Sequence, residues 1–235
     1  MNDFKSKFTQ DFIEDGRWHF ITDGLINTII ITILALLMGV LIGVIVSIIR
    51  CAHDQKDEKV RNIPLSIANA ICKIYIAIIR GTPALVQLLI MYFIIMVSAK
   101  SKLLVAVLTF GINSGAYVAE LFRGGIMSVD AGQLEAGRSL GMSYVLTMRK
   151  VVLPQAFKAS LPALINEFIA LLKETSICGY IGLNELTRGG DIIRGTTYDA
   201  MLPLLTVAII YFILVMIISY LASLVERRLR RSDKR

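Results

Sequence analysis

Six polar or ionisable side chains interrupt the apolar tracts of this sequence and could bind a polar solute inside a membrane. They are Gln87, Asn113, Ser114, Glu120, Glu167 and Lys173. An ionisable group at membrane depth is costly and usually faces the interior of a helix bundle or a wet cavity. Glu167 lies in the middle of a predicted helix and has no near partner in sequence. It is therefore the best candidate to face a substrate path.

Each of these residues also has a purely structural interpretation. Glu120 precedes Arg123 by three positions, so the two could form an ion pair along one helix instead of serving the path. The long stem of Lys173 can carry its ammonium group to the membrane surface. The neutral polar groups could hydrogen-bond between helices. The sequence leaves both interpretations open.

Long apolar tracts surround these residues and predict an all-α integral membrane protein. Hydrophobic residues make up 55% of the 235 residues, and charged residues only 18%. Residues 24–49 and 200–225 contain no charge. About 20 apolar residues cross the hydrocarbon core as a helix, whose backbone satisfies its own hydrogen bonds. Short alternating segments of the kind that form β-barrels are absent from the sequence.

We predict about five transmembrane helices, at residues 23–49, 83–98, 103–122, 156–177 and 202–225. The motif Arg80-Gly81-Thr82-Pro83 predicts a break between the second span and an approach helix at 65–79, because proline disfavours helix just before it. The approach helix either lies flat or enters the bilayer. Gly39 and Gly43 form a small-residue pair that permits close helix packing.

The distribution of basic residues predicts the orientation. The loops at 50–63 and 123–150 and the tail at 226–235 together hold 14 Lys and Arg, against 7 in the other connections. The richer set is expected in the cytoplasm, with the N-terminus outside. The same pattern explains the net charge of +7 without nucleic acid, because the basic residues lie beside apolar tracts.

Several kinds of site are missing from the sequence. It contains no Gly-x-x-x-x-Gly-Lys phosphate loop, so we expect no ATP bound by this chain. Cys51, Cys72 and Cys178 are scattered, and His19 and His53 lie far apart, so we expect no metal site. No catalytic triad or paired carboxylates occur in a soluble segment, and the chain is not a self-contained enzyme.

The polar segment 130–155 is the most informative part of the sequence. Residues Glu135 to Gly141 suit a brief helix that ends at glycine, where a side chain would crowd the turn. The small residues Ala136 and Gly137 would let a partner surface approach closely. An ordinary surface loop would satisfy the same pattern.

This segment resembles the cytoplasmic EAA loop of ABC importer permeases. The resemblance rests on Glu135, Ala136, Gly137, Gly141, Leu153 and Pro154. Glycine stands where many members have a second alanine. Three further segments, at 78–93, 112–126 and 166–177, resemble the polar amino acid permeases of the glutamine and histidine type. Together the motifs cover nearly the whole chain.

The resemblance implies a single permease domain over residues 1–235, with a core at 24–225, a coupling loop at 130–155 and a basic tail at 226–235. It implies a short cytoplasmic coupling helix that docks on an ATPase subunit, two copies of which bind ATP and Mg²⁺. It further implies a second permease subunit, identical or different, and an extracytoplasmic amino-acid-binding protein. The chain would then translocate a polar amino acid across the bacterial cytoplasmic membrane.

Two other functions compete with this interpretation. A channel or a lone secondary transporter would usually show more spans and inverted repeats, which the sequence lacks. A membrane scaffold without transport activity would not need the coupling-loop motif.

Overall fold

The computed structural model is predominantly helical. It describes the backbone of residues 2–54 and 62–232 and the side chains of residues 4–54 and 62–228, and these ranges contain no β-strand. Residues 55–61 of the predicted charged loop and residues 233–235 of the predicted basic tail lie outside the described residues. The predicted all-α membrane class is confirmed.

The α-helices of the described residues, in chain order, are α1 (Asn2–Phe8), α2 (Trp18–Asp54), α3 (Ile63–Gly81), α4 (Ala84–Ile90), α5 (Lys102–Met127), α6 (Ala131–Ser139), α7 (Tyr144–Thr147), α8 (Leu153–Glu174), α9 (Leu186–Thr197) and α10 (Met201–Ser232). Wider π-helical turns occupy Thr9–Ile13, Met91–Ile95 and Met148–Val152. Tighter 3-10 turns occupy Glu14–Gly16 and Thr175–Ile181.

Four helices in the described ranges are long and apolar enough to cross a membrane: α2, α3, α5 and residues Met201–Arg228 of α10. The approach helix predicted at 65–79 is therefore α3, whose 19 residues suffice to enter the bilayer. The predicted span at 156–177 coincides with α8, which carries Lys158, Glu167 and Lys173 and is less apolar than these four.

The predicted break before the second span is confirmed. α3 ends at Gly81, and Thr82 takes an extended conformation with φ −124° and ψ 145°. Pro83 is also extended, with φ −64° and ψ 139°, and α4 begins at the next residue. Proline forces this geometry because its ring excludes helical backbone at the preceding residue.

The contacts of the chain divide it into two compact units. Unit 1 comprises Met1–Leu37, Pro83–Gly111 and Phe168–Leu221. Its main buried cluster includes Ile31, Leu88, Phe110, Leu171, Cys178 and Ile181. A Cβ atom at Gly24 would lie 2.6 Å from the carbonyl oxygen of Glu185, so only glycine lets the start of α2 approach this backbone.

Unit 2 comprises Met38–Thr82, Ile112–Glu167 and Ala222–Arg235. A Cβ atom at Gly39 would lie 2.9 Å from Cβ of Ser114, and one at Gly43 would lie 2.5 Å from Cγ1 of Val118. The close packing predicted for this small-residue pair is confirmed, and its partner helix is α5. Within unit 2 the absence of two side chains lets the α2 and α5 backbones approach each other.

Two segments differ from their prediction: one is helical where no helix was predicted, and the other is a helix with different bounds. The connection between the predicted spans at 156–177 and 202–225 contains α9, a 12-residue helix. The brief helix predicted from Glu135 to Gly141 is α6, which begins four residues earlier, because Asp130 caps it through a 2.6 Å hydrogen bond from the backbone N–H of Gly132. A cap of this type satisfies a donor that the first helical turn leaves free.

Candidate functional site

Two of the predicted path residues meet in unit 2. The hydroxyl of Ser114 on α5 donates a 2.9 Å hydrogen bond to Oε1 of Glu167 on α8. Ser114 and its neighbour Asn113 are buried, whereas Glu167 is half-buried. The structure thus places a half-buried glutamate beside the buried hydroxyl of Ser114, and a carboxylate in this position can attract a cationic group of a passing solute.

Glu120 forms ion pairs with two arginines. Its Oε2 lies 3.3 Å from Nη2 of Arg123, which confirms the ion pair along α5 that the sequence offered as one alternative. Its Oε1 accepts a hydrogen bond from Nη1 of Arg50, at the end of α2. The three side chains are only 13–25% exposed. This carboxylate holds the α2 and α5 segments of unit 2 together, which favours its structural interpretation.

The remaining predicted residues have separate surroundings. Gln87 in α4 and Lys173 in the last turn of α8 both belong to unit 1, where Gln87 is half-buried and Lys173 exposed. The guanidinium of Arg80 lies 5.3 Å from the ring centre of Tyr117 in unit 2. This cation–π contact links the end of α3 to α5.

The predicted glycine stop of the coupling segment is confirmed in detail. Gly141 has φ +77°, the backbone N–H of Met142 bonds to the carbonyl of Gly137 at 3.1 Å, and the N–H of Gly141 bonds to the carbonyl of Arg138 at 2.9 Å. These two bonds form a Schellman motif. The prediction that a side chain at Gly141 would crowd the turn is wrong, because no described atom lies within 4 Å of an added Cβ. Glycine is favoured here by its positive φ.

Gly137 serves a contact within the chain. It is buried, and a Cβ atom there would lie 2.3 Å from Cγ2 of Thr147. The small residue that we expected to admit a partner surface therefore admits α7, and α6 packs directly on α7. Glu135 and Ala136, on the same helix, are exposed and remain free to meet a partner.

An apolar surface follows α6. It consists of Leu140, Tyr144, Val145, Leu146 and Leu153, of which Leu140 is 82% exposed and Val145 72%. Leu153 and Pro154, the last residues of the predicted motif, are exposed at the start of α8. Exposed hydrophobic side chains this close together in sequence indicate a docking surface.

Sequence reasoning did not identify Glu185, which is fully buried in unit 1 and caps α9. Its carboxylate accepts hydrogen bonds from the backbone N–H groups of Thr187 at 2.8 Å and Arg188 at 2.7 Å. The hydroxyl of Tyr211 lies 3.4 Å from Oε2. Burial raises the pKa of Glu185 to about 7, and the hydrogen bonds oppose this rise. Glutamate is not among the favoured capping residues, so the sequence carried no signal for this role.

No metal centre is formed in the part of the chain that the structure describes, where no three His, Cys, Asp or Glu side chains converge. Cys51, Cys72 and Cys178 are each buried with a free thiol. They contribute to separate apolar clusters as small hydrophobic side chains.

Comparison with known proteins identifies the kind of membrane protein. Residues 63–231 match the family described as binding-protein-dependent transport system inner membrane component. This range includes α3, the break before α4, the α6–α7 segment and the pair formed by Ser114 and Glu167.

Individual relatives cover most of the chain. The putative glutamine transport system permease protein GlnP of Rickettsia typhi is 42% identical over 158 residues, which are 66% of this chain and 72% of the relative. The arginine transport system permease protein ArtQ of Bacillus subtilis is 37% identical over 184 residues, or 72% of this chain and 84% of the relative. The glutamine transport system permease protein GlnP of Escherichia coli K12 is 39% identical over 168 residues, or 70% and 77%.

Solved structures show the same fold. A crystal structure of an amino acid ABC transporter with histidines has a TM-score of 0.79 and 42% identity, covering 89% of this chain and 94% of that chain. The inward-facing MetNI methionine ABC transporter has a TM-score of 0.78 at 22% identity, covering 92% and 98%, and supports the fold alone. This chain therefore belongs to the inner membrane components of binding-protein-dependent transport systems, as a multi-pass permease subunit of an ABC importer whose ATPase and substrate-binding protein are separate subunits.

Proposed function

We propose that this chain, as one permease domain, translocates a polar amino acid across the bacterial cytoplasmic membrane. The printed names of its relatives support this substrate class, because they specify glutamine and arginine. The similar solved transporter is described with histidines. All three amino acids carry an α-ammonium group and a hydrogen-bonding side chain, which a path must accommodate.

The observation that carries the proposal is the hydrogen bond between Ser114 and Glu167. A half-buried carboxylate in a membrane helix is costly unless its surroundings are polar. Ser114 donates to one carboxylate oxygen of Glu167, and the residue as a whole is half-buried. An ammonium group that passes this point would gain an electrostatic partner.

Replacement of Glu167 by glutamine tests the path. We expect Glu167→Gln to lower the rate of amino acid uptake by about tenfold, since a charge-assisted contact is replaced by a neutral one. Glu174→Gln is the matched control, because it makes the same change on the same helix, outside the Ser114 contact. Both variants should assemble with the ATPase. Unchanged uptake by Glu167→Gln would remove this residue from the path.

The α6–α7 segment is proposed to dock on the ATPase, which would carry ATP and Mg²⁺. Support comes from the exposed surface formed by Leu140, Val145 and neighbouring residues, next to the exposed Glu135 and Ala136. A complex of two permease subunits and two ATPases would contain two such contacts. We expect Glu135→Arg to reduce co-purification of the ATPase, whereas Glu14→Arg, a control on the N-terminal segment, should leave it intact. Equal recovery with both variants would contradict the docking assignment.

The charge distribution supports an extracytoplasmic N-terminus and a cytoplasmic C-terminus. A reporter that is active only in the cytoplasm is expected to be active when it is fused after Arg235. An external reporter would place the α6–α7 segment on the side opposite the ATPase.

The mass of the purified complex, with this permease expressed alone or with a second permease, would distinguish a homodimer from a heterodimer.

A further inference from the structure

Unit 1 contains a cavity that is separate from the pair formed by Ser114 and Glu167. Its volume is about 310 Å³, and its lining includes Ser176, Tyr180, Glu185, Thr187, Arg188 and Asp191. A volume near the lower limit of small-molecule sites suits one free amino acid. Charged groups of both signs line it, as a zwitterion requires.

The acidic side of the cavity is Glu185, which is fully buried and held in one position by the N–H groups of Thr187 and Arg188. Burial is the dominant influence on its pKa, so the donors around it do not fully compensate for the loss of water. A cationic group in the cavity would supply the missing compensation. Free amino acids bring such a group as the α-ammonium.

The basic side of the cavity is Arg188, which can exchange partners at low cost. Its Nη1 lies 2.8 Å from Oδ2 of Asp191, and both side chains are partly exposed. Asp191 also accepts from Arg194, at 2.6 Å to Nη2 and 2.9 Å to Nε. The hydrogen bond from Arg194 is the main reason that the pKa of Asp191 is lowered. Arg188 can therefore turn to a ligand carboxylate, which it binds well as a planar fork, without leaving Asp191 unpaired.

We propose that this cavity is a second binding site for a free zwitterionic amino acid, with the α-carboxylate on Arg188 and the α-ammonium on the Glu185 side, where the buried carboxylate attracts it through space without direct contact. This site rests on the proposed transport of amino acids. In the orientation proposed above, the connection between α8 and α10 lies on the extracytoplasmic side.

The test measures binding of L-arginine and L-glutamine to the detergent-solubilised permease–ATPase complex without its binding protein. Agmatine and 4-aminobutanamide, the respective analogues without the α-carboxylate, are measured in parallel. Arg188→Gln is the informative variant, because the partly exposed side chain can be replaced without removing the cap of α9. Lys100→Gln, which removes the same charge from an exposed position outside the cavity, is the control.

We expect the unmodified complex and Lys100→Gln to prefer the amino acid over its analogue by about tenfold or more, as a charge-assisted contact provides. Arg188→Gln should lose this preference and bind the two nearly equally, which a purely structural role would not produce. A preference that persists in Arg188→Gln would overturn the site while leaving the proposed function intact. Absence of amino acid uptake by the complete unmodified transporter would instead refute the proposed function.

Discussion

Gly137→Ala is expected to uncouple this permease from its ATPase, although the change adds a single methyl group. Gly137 lies in the last turn of α6, where a Cβ atom would be 2.3 Å from Cγ2 and 2.8 Å from Oγ1 of Thr147. Ordinary contact begins near 3.4 Å, so α6 and α7 must separate by about 1 Å. The separation would distort the surface that we propose to dock on the ATPase.

Two opposing contributions to the free energy determine the effect of Gly137→Ala: helix propensity and overpacking. Alanine is favoured over glycine inside a helix by about 1 kcal/mol. Overpacking a tight contact costs about 1–3 kcal/mol, and here the obstacle is a β-branched side chain with little rotational freedom. The difference is a net cost of up to about 2 kcal/mol, which corresponds to a loss of the docked arrangement of up to roughly 30-fold.

The assay is ATP-driven uptake in proteoliposomes, with ATPase recovery on the purified permease as a second measurement. Thr147→Ala removes Cγ2 and Oγ1, and in combination with Gly137→Ala it should restore most of the uptake. Thr147→Ala alone, which loses the 3.1 Å bond to the carbonyl of Ser143, is the control. Normal uptake by Gly137→Ala, or a double variant no better than the single one, would refute the proposed role of this contact.

Three further predictions follow from the same structure. Gly141→Val should reduce uptake, since its φ of +77° costs a β-branched residue about 1–2 kcal/mol, whereas Gly141→Asn should retain most of it. Glu120→Ala should lower thermal stability by about 1–3 kcal/mol, more than Arg123→Ala does, because it leaves Arg50 and Arg123 both unpaired. Glu185 takes up a proton on folding between pH 4.5 and about 7, so stability should fall as pH rises through this window. Glu185→Gln should flatten that dependence in melting curves at pH 5 and pH 8, and parallel curves would contradict it.

Local features of the sequence predicted the local structure well. The uncharged tract at 24–49 lies within α2, and the tract at 200–225 lies within α10 except for its first residue, because length and hydrophobicity alone determine whether a helix can cross a bilayer. The break at Pro83 and the stop at Gly141 were predictable for a similar reason. Each depends on the backbone restrictions of a single residue type.

The family was also recognisable from ordered motifs. The match over residues 63–231 confirms that resemblance. The motifs did not reveal which surface each residue would face. Ala136 and Gly137 looked equivalent in the sequence, yet Ala136 is exposed and Gly137 is buried against Thr147.

Contacts between distant residues were decided only by the tertiary structure. Arg50 and Glu120 are 70 positions apart, and Ser114 and Glu167 are 53 apart. Sequence periodicity describes the faces of one helix and contains no information on which helix packs against that face. Glu185 shows this most clearly. By composition it belonged to a charged connection, but burial next to Tyr211 and the start of α9 raises the pKa of its carboxyl group to about 7.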